Sequence, residues 1–143
     1  MTQIRAGAHA AWRYLIVLFV LVVIVQFFLA GVGVFNPSES SDPYDPHSAV
    51  GFLGAGIGSF VLMVLALIAW RDRVIIGGSV ALFVLTNFIQ PALAEFNSWA
   101  GPFHPVNGLL ILGLSVWLMR RAWGWGTGPA PSLEPSSPTQ DVT

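Results

Sequence analysis

The sequence has 143 residues, of which 55% are hydrophobic and only 9% are charged. Soluble domains carry roughly 25% charged residues, so this composition indicates a membrane protein rather than a water-soluble one. The net charge of −1 argues against nucleic acid as a partner, and the lack of cysteine excludes disulfides and thiolate chemistry.

Four long apolar runs predict transmembrane helices, because a bilayer core of ~30 Å needs about 20 residues of helix. The predicted helices cover residues 14–35, 47–70, 74–94 and 103–123. A lead at 1–13 precedes them, and a tail at 124–143, rich in Gly, Pro and Ser, is expected to be disordered. The runs are continuous rather than alternating, which favours helices over a barrel. The sequence therefore predicts an all-α, antiparallel four-helix transmembrane bundle.

The basic residues predict the orientation of this bundle. All six are arginines, and all fall on one side of the predicted topology: Arg5, Arg13, Arg71, Arg73, Arg120 and Arg121. Positively charged loops stay in the cytoplasm, so we expect both termini to be cytoplasmic in a multi-pass protein of the plasma membrane. Tryptophans gather at the same boundary, as expected for an aromatic belt.

Prolines mark where the helices begin and bend. Asp45 is the expected N-cap of the second helix, with Pro46 in the first helical position. Pro105 takes the first position of the fourth helix in the same way. Pro91 predicts a bend near the end of the third helix.

A set of polar residues lies in the outer half of the predicted bundle. From the helical rise of ~1.5 Å per residue, this half contains four side-chain amides beneath two histidines. The residues are Gln26, Asn87, Gln90, Asn107, His47 and His104, with Tyr44 at the boundary. They indicate either a cavity that opens outward or hydrogen bonds that hold the helices together.

The two histidines are candidate ligands of a b-type haem. His47 and His104 lie at the same depth on two helices, as axial ligation of a haem iron requires. Both lie at helix starts, where the helix dipole favours the neutral imidazole that binds iron. A divalent ion bound by the histidines and the nearby acids is an alternative, and so are two interfacial histidines without a ligand.

Glycines on the second helix allow a close approach by another helix. Gly54 and Gly58 form a GxxxG pattern on the face below His47. This pattern is consistent with packing within the chain, with packing against a membrane-protein partner and with packing in a homo-oligomer. A glycine face could also leave room for a flat macrocycle.

Two resemblances follow from these segments. DPHSAVGF (45–52), FHPVNGLLILG (103–113) and VQFFLAGVGVF (25–35) resemble a family of small bacterial four-helix membrane proteins of unknown function. The architecture is also similar to one four-helix half of haem A synthase, which has histidines on its second and fourth helices. That similarity implies b-type haem binding through His47 and His104, although Tyr44 stands where the synthase has a glutamate.

These observations leave three functional hypotheses for a multi-pass membrane protein. The first is binding of b-type haem in the outer half through the two histidines. The second is a non-enzymatic accessory or structural subunit of a membrane complex. The third is binding of a quinone or lipid in an outward-facing polar cavity. No catalytic residues are predicted, since Ser59 and Ser115 have no base beside them in the sequence.

Overall fold

The computed structural model describes residues 2–35, 44–95 and 99–124. Within these residues the chain is helical and contains no β-strand, which confirms the predicted all-α class. The helices are α1 (Gln3–Phe35), α2 (Asp45–Ala69), α3 (Arg73–Glu95) and α4 (Phe103–Ala122). The predicted disorder of residues 125–143 and the acidic side chains of 36–43 lie outside the described residues.

Three of these helices, α1, α2 and α3, are long and apolar enough to cross a membrane. This result is compatible with the predicted membrane location. Helix α4 carries His104 and Asn107 near one end and Arg120 and Arg121 at the other, and these polar residues lower its average hydropathy. The fourth span and the orientation of the chain therefore remain predictions.

The helices contact one another in a cyclic order. Helix α1 packs against α2 and α4, and α3 packs against the same two helices. The core between them is formed by large side chains with almost no exposure: Trp12, Ile16, Phe19, Leu62, Ile75, Leu82 and Leu118. Many leucines, valines and phenylalanines point away from this core and are exposed. An apolar outer surface of this kind suits lipid rather than water.

Contacts between helix ends bring the arginines together. Arg5 Nη2 donates to the last carbonyl of α2 at 3.3 Å. The Arg13 guanidinium lies 4.0 Å from the ring centroid of Trp123, just after α4. Arg121 Nη2 lies 2.9 Å from Asp72 Oδ2 in the turn between α2 and α3. The start of α1, this turn and the end of α4 therefore share one end of the molecule, called the arginine end below.

Several predicted helix starts differ from the structure. Helix α1 begins at Gln3 rather than at 14, because the alanine-rich lead favours a helix without being apolar enough for a span. The prediction that Asp45 caps α2 is wrong, since Asp45 is the first helical residue and no side chain caps this end. Pro105 is the third residue of α4 rather than the first, because the helix already begins at Phe103.

Asp72 is the N-cap that the sequence reading did not identify. Its Oδ1 accepts the backbone N–H of Val74 at 2.8 Å, at the start of α3. Partial burial raises the pKa of the Asp72 carboxyl, but this N–H and the guanidinium of Arg121 outweigh burial. The pKa of Asp72 therefore lies below its ordinary value.

The glycine face of α2 lies against α1. A Cβ added to Gly54 would lie 2.9 Å from Cγ1 of Val22, and one added to Gly58 would lie 3.3 Å from Cδ2 of Phe19. The absence of side chains here lets the two backbones approach closely. These two glycines therefore pack against α1 within the chain, whereas contact with a membrane-protein partner or a second copy through them stays a prediction.

Candidate functional site

The two histidines meet at the end opposite the arginines. His47 lies in the first turn of α2 and His104 in the first turn of α4, and both are half-buried. Their ring centroids are 6.1 Å apart, and the ring planes are inclined at 60°. The site therefore lies at the starts of α2 and α4, which are the second helices of the α1–α2 and α3–α4 hairpins.

Each imidazole is oriented by a main-chain carbonyl of the preceding helix. His47 Nδ1 lies 3.1 Å from the carbonyl oxygen of Gln26 on α1, and His104 Nδ1 lies 3.1 Å from that of Gln90 on α3. A carbonyl can only accept, so Nδ1 carries the hydrogen in both rings. In the neutral form of an imidazole, this assignment leaves the Nε2 lone pair as an acceptor.

The Nε2 atom of His104 is already used within the protein. The Gln90 side-chain amide donates to it at 3.0 Å, and Asn107 Nδ2 donates to Gln90 Oε1 at 2.6 Å. Asn107 is 4% exposed, and its amide also donates to the Leu85 carbonyl at 3.2 Å. His104, Gln90 and Asn107 thus form a continuous hydrogen-bonded chain between α3 and α4. This chain matches the interpretation that these amides hold helices together.

Asn87 makes the corresponding link between α3 and α2. Its Nδ2 donates to Ser59 Oγ at 2.8 Å and to the Gly56 carbonyl at 3.3 Å. The same amide lies 3.1 Å from the Phe83 carbonyl on its own helix. Asn87 was predicted to line a cavity, and in the structure its amide group is committed to contacts inside the protein.

Two π-helical segments occur beside these amides, Gly51–Gly56 in α2 and Leu85–Ile89 in α3. The carbonyls of Gly56 and Leu85, at one end of each segment, accept asparagine side chains from other helices. Such wide turns are rare and occur frequently at functional sites. The proline after the second segment, Pro91, was the only sequence signal for this irregularity.

Gln26 differs from the other amides of the site. Both polar atoms of its side chain, Nε2 and Oε1, are buried and have no hydrogen-bond partner. The amide lies over the backbone of α2 one turn inward from His47, since a Cβ on Gly51 would be 3.1 Å from Gln26 Nε2. No hydrogen bond from the described residues reaches Nε2 of His47. The α1–α2 hairpin thus carries a donor and acceptors without partners among the described residues. The corresponding groups of the α3–α4 hairpin are paired with one another.

The remaining predictions about the site concern Tyr44, a polar cavity and a metal. Tyr44 directly precedes α2 and is 40% exposed. Two surface pockets, of about 270 and 310 Å³, are lined by apolar residues and glycines and not by the polar set. Across residues 2–35, 44–95 and 99–124, no group of three or more histidine or acidic side chains could hold a metal ion.

The residues around the histidines do not fit a haem. One candidate ligand atom, His104 Nε2, already accepts the Gln90 amide. Space for a macrocycle is missing beside the rings, because a Cβ on Gly108 would lie 3.2 Å from Phe27 and the Gln26 amide covers Gly51. In the described part of this end no lysine or arginine faces the site, so propionates would lack a cation. Asn97 and Ser98, whose polar side chains could bond a propionate, lie outside the described residues.

Fold and site together define an all-α protein with membrane-compatible helices and a pair of histidines at one end. Within that class, residues 26–96, just under half of the chain, match a family of unknown function (DUF6220). This match supports the predicted resemblance to an uncharacterised family, and it spans Gln26, His47 and Gln90 but not His104. No curated protein and no solved structure was found to match, so the resemblance to haem A synthase has no support from these comparisons.

Proposed function

We propose that the chain is a multi-pass plasma-membrane protein, built as an antiparallel four-helix transmembrane bundle with both termini cytoplasmic. The gathering of arginines at one end supports this orientation, because basic residues are retained on the cytoplasmic side. Helix α4 has 20 residues, and this length corresponds to ~30 Å, enough to cross a bilayer core.

The function proposed for the outer end is binding of a neutral, membrane-soluble molecule with a carbonyl or hydroxyl head, of the quinone class. The observation that carries this proposal is the Gln26 carboxamide, which is buried with both polar atoms unpaired. Buried polar groups are nearly always hydrogen-bonded, and the unpaired state is costly in lipid, where no water competes. A ligand that supplies both partners would remove this cost.

The chemistry of the site matches such a head group. The Gln26 amide N–H can donate to a quinone carbonyl, and its oxygen can accept from a quinol hydroxyl. The Nε2 lone pair of His47 is a second acceptor, since Nδ1 donates to the Gln26 carbonyl. The described part of this end has no lysine or arginine, which makes an anionic ligand unfavourable.

Binding rather than catalysis is proposed because the candidate nucleophiles are engaged elsewhere. Ser59 Oγ donates to the Gly56 carbonyl at 2.9 Å, and Ser115 Oγ donates to the Leu112 carbonyl at 2.9 Å. Carbonyl oxygens cannot remove a proton from serine, so neither hydroxyl is activated by its partner.

A titration with ubiquinone-1 tests the proposal. The purified, delipidated protein should bind this quinone, and Gln26→Leu and His47→Phe should each bind about tenfold more weakly, the factor for a loss of ~1.4 kcal/mol. Ser48→Ala is the control, because Ser48 follows His47 in the sequence and is exposed. Equal binding by all four proteins, or no binding by the wild type, would contradict the proposal and favour an accessory subunit.

A further inference from the structure

Unpaired hydrogen-bond donors are also buried at the arginine end. They include Nε of Arg5 and the indole Nε1 atoms of Trp12 and Trp70. Each of these groups can donate and none can accept. Because buried donors are almost always paired in native proteins, three unpaired donors in one region indicate an acceptor that the described residues do not supply.

Contacts between α1 and the end of α2 place these donors in one region. Arg5 Nη2 is held 3.3 Å from the last carbonyl of α2, directly before Trp70. The ring of His9, one turn after Arg5, stacks on Trp70 with centroids 4.2 Å apart. Trp12 meets the same indole edge-on at 5.4 Å and is completely buried. Arg5 and Trp70 are half-buried, so they form the accessible face of this cluster.

The charge of this end is strongly positive. The ion pair between Arg121 and Asp72 neutralises one arginine, and no carboxylate of the described residues forms an ion pair with Arg5 or Arg13. A guanidinium favours planar, multidentate contact with carboxylate or phosphate oxygens. The missing acceptor is therefore expected to be an anion.

An apolar groove begins about one helical turn along α1 from the cluster. It runs between α1 and α2, has a volume of about 270 Å³ and is lined by Leu15, Leu18, Ile57 and Val61, among others. Leu15 follows Trp12 by about one helical turn, so the groove continues from the cluster toward the centre of the predicted bilayer. An acyl chain fits such a groove, whereas a soluble anion has no apolar part that could occupy it.

We propose that Arg5 and Trp70, with Trp12 beneath them, bind the headgroup phosphate of an anionic phospholipid, whose acyl chain follows the groove between α1 and α2. Indoles lie at the level of lipid headgroups, and basic pockets between transmembrane helices on the cytoplasmic side bind anionic headgroups. Free phosphate shares the headgroup's chemistry but not its chain. This site is remote from Gln26 and His47 and does not depend on the function proposed for them.

The test compares ligands on the delipidated full chain in neutral detergent. Phosphatidylglycerol should raise the unfolding temperature and remain bound in native mass spectra, and phosphatidylcholine and inorganic phosphate should do so much less. Arg5→Gln and Trp70→Phe should each weaken phosphatidylglycerol binding by about tenfold or more, as expected for a lost hydrogen bond to a charged group.

Two matched variants serve as controls, Arg120→Gln at the same end and Trp117→Phe on the exposed face of α4. Each should change the affinity less than about threefold, because Arg120 is an exposed and screened charge and Trp117 belongs to α4 rather than to the α1–α2 cluster. If the controls weaken binding as much as Arg5→Gln and Trp70→Phe, or if the two lipids bind equally, the site is wrong. Stabilisation by inorganic phosphate that equals the effect of phosphatidylglycerol would overturn the lipid as the source of the phosphate.

Discussion

Replacing Gln26 by leucine is expected to stabilise the ligand-free protein, whereas the same change at Gln90 is expected to destabilise it. The Gln26 side chain makes no hydrogen bond and buries both polar atoms, so Gln26→Leu removes a desolvation cost of about 1–3 kcal/mol. The Gln90 side chain bonds His104 and Asn107, and losing two such bonds in a membrane bundle costs about 1–4 kcal/mol. Two chemically identical substitutions should thus have opposite signs.

Equilibrium unfolding in mixed detergent micelles measures both changes on delipidated protein. The free energy of unfolding should rise for Gln26→Leu and fall for Gln90→Leu, and Asn107→Leu should resemble Gln90→Leu because it breaks the same chain. If Gln26→Leu is as damaging as Gln90→Leu, the Gln26 amide is paired in the protein and the reasoning about its unpaired state is refuted.

Three further outcomes follow from the same structure. Gly78→Ala should cost about 1–3 kcal/mol in the same unfolding assay, since the added Cβ would lie 2.6 Å from Cδ2 of buried Leu118. Gly77→Ala, whose Cβ would meet nothing within 4 Å, should instead stabilise by about 0.5–1 kcal/mol, and equal effects would disprove this packing. Because the folded-state pKa of Asp72 is lowered, ionised Asp72 contributes stability above its unfolded pKa and loses it as the pH falls through the folded pKa. Asp72→Asn should reduce the decrease in the free energy of unfolding at acidic pH, a decrease below about 1 kcal/mol for so exposed an ion pair. If the pH profile of the unfolding free energy is the same in Asp72→Asn and the wild type, this contribution of Asp72 is contradicted. Finally, protein expressed with adequate haem should show no Soret band and no α-band after dithionite reduction, whereas bands lost in His47→Ala and His104→Ala would restore the haem hypothesis.

Most of the helical framework could be predicted because the length and hydrophobicity of the apolar runs constrain it strongly. The second, third and fourth predicted helices begin and end within two residues of the structure, whereas α1 extends back to Gln3. Hydropathy reports where a helix enters lipid and not where it starts, so the alanine-rich lead was missed. Asp45 failed as a cap because the helix already includes it as its first residue, so the N-cap position falls on Tyr44.

The site was predictable in composition but not in its pairing. Helical rise placed the amides and histidines at similar depths, and the structure does bring His47 and His104 together. Depth alone cannot distinguish Gln90, whose amide is satisfied, from Gln26, whose amide is not, because that difference depends on helix rotation. The π-helical segments left no clear pattern in the sequence, although Pro91 follows one of them.

The most direct test of the proposed function is the identity of molecules that accompany the protein from the membrane. Mass spectrometry of an organic extract of the gently purified wild type should show a quinone in near-stoichiometric amount. Gln26→Leu should carry markedly less of it, although this variant is the more stable protein, and Ser48→Ala should match the wild type. A wild-type extract without quinone, or equal amounts from Gln26→Leu and wild type, would contradict the assignment of Gln26 and His47 as a ligand site.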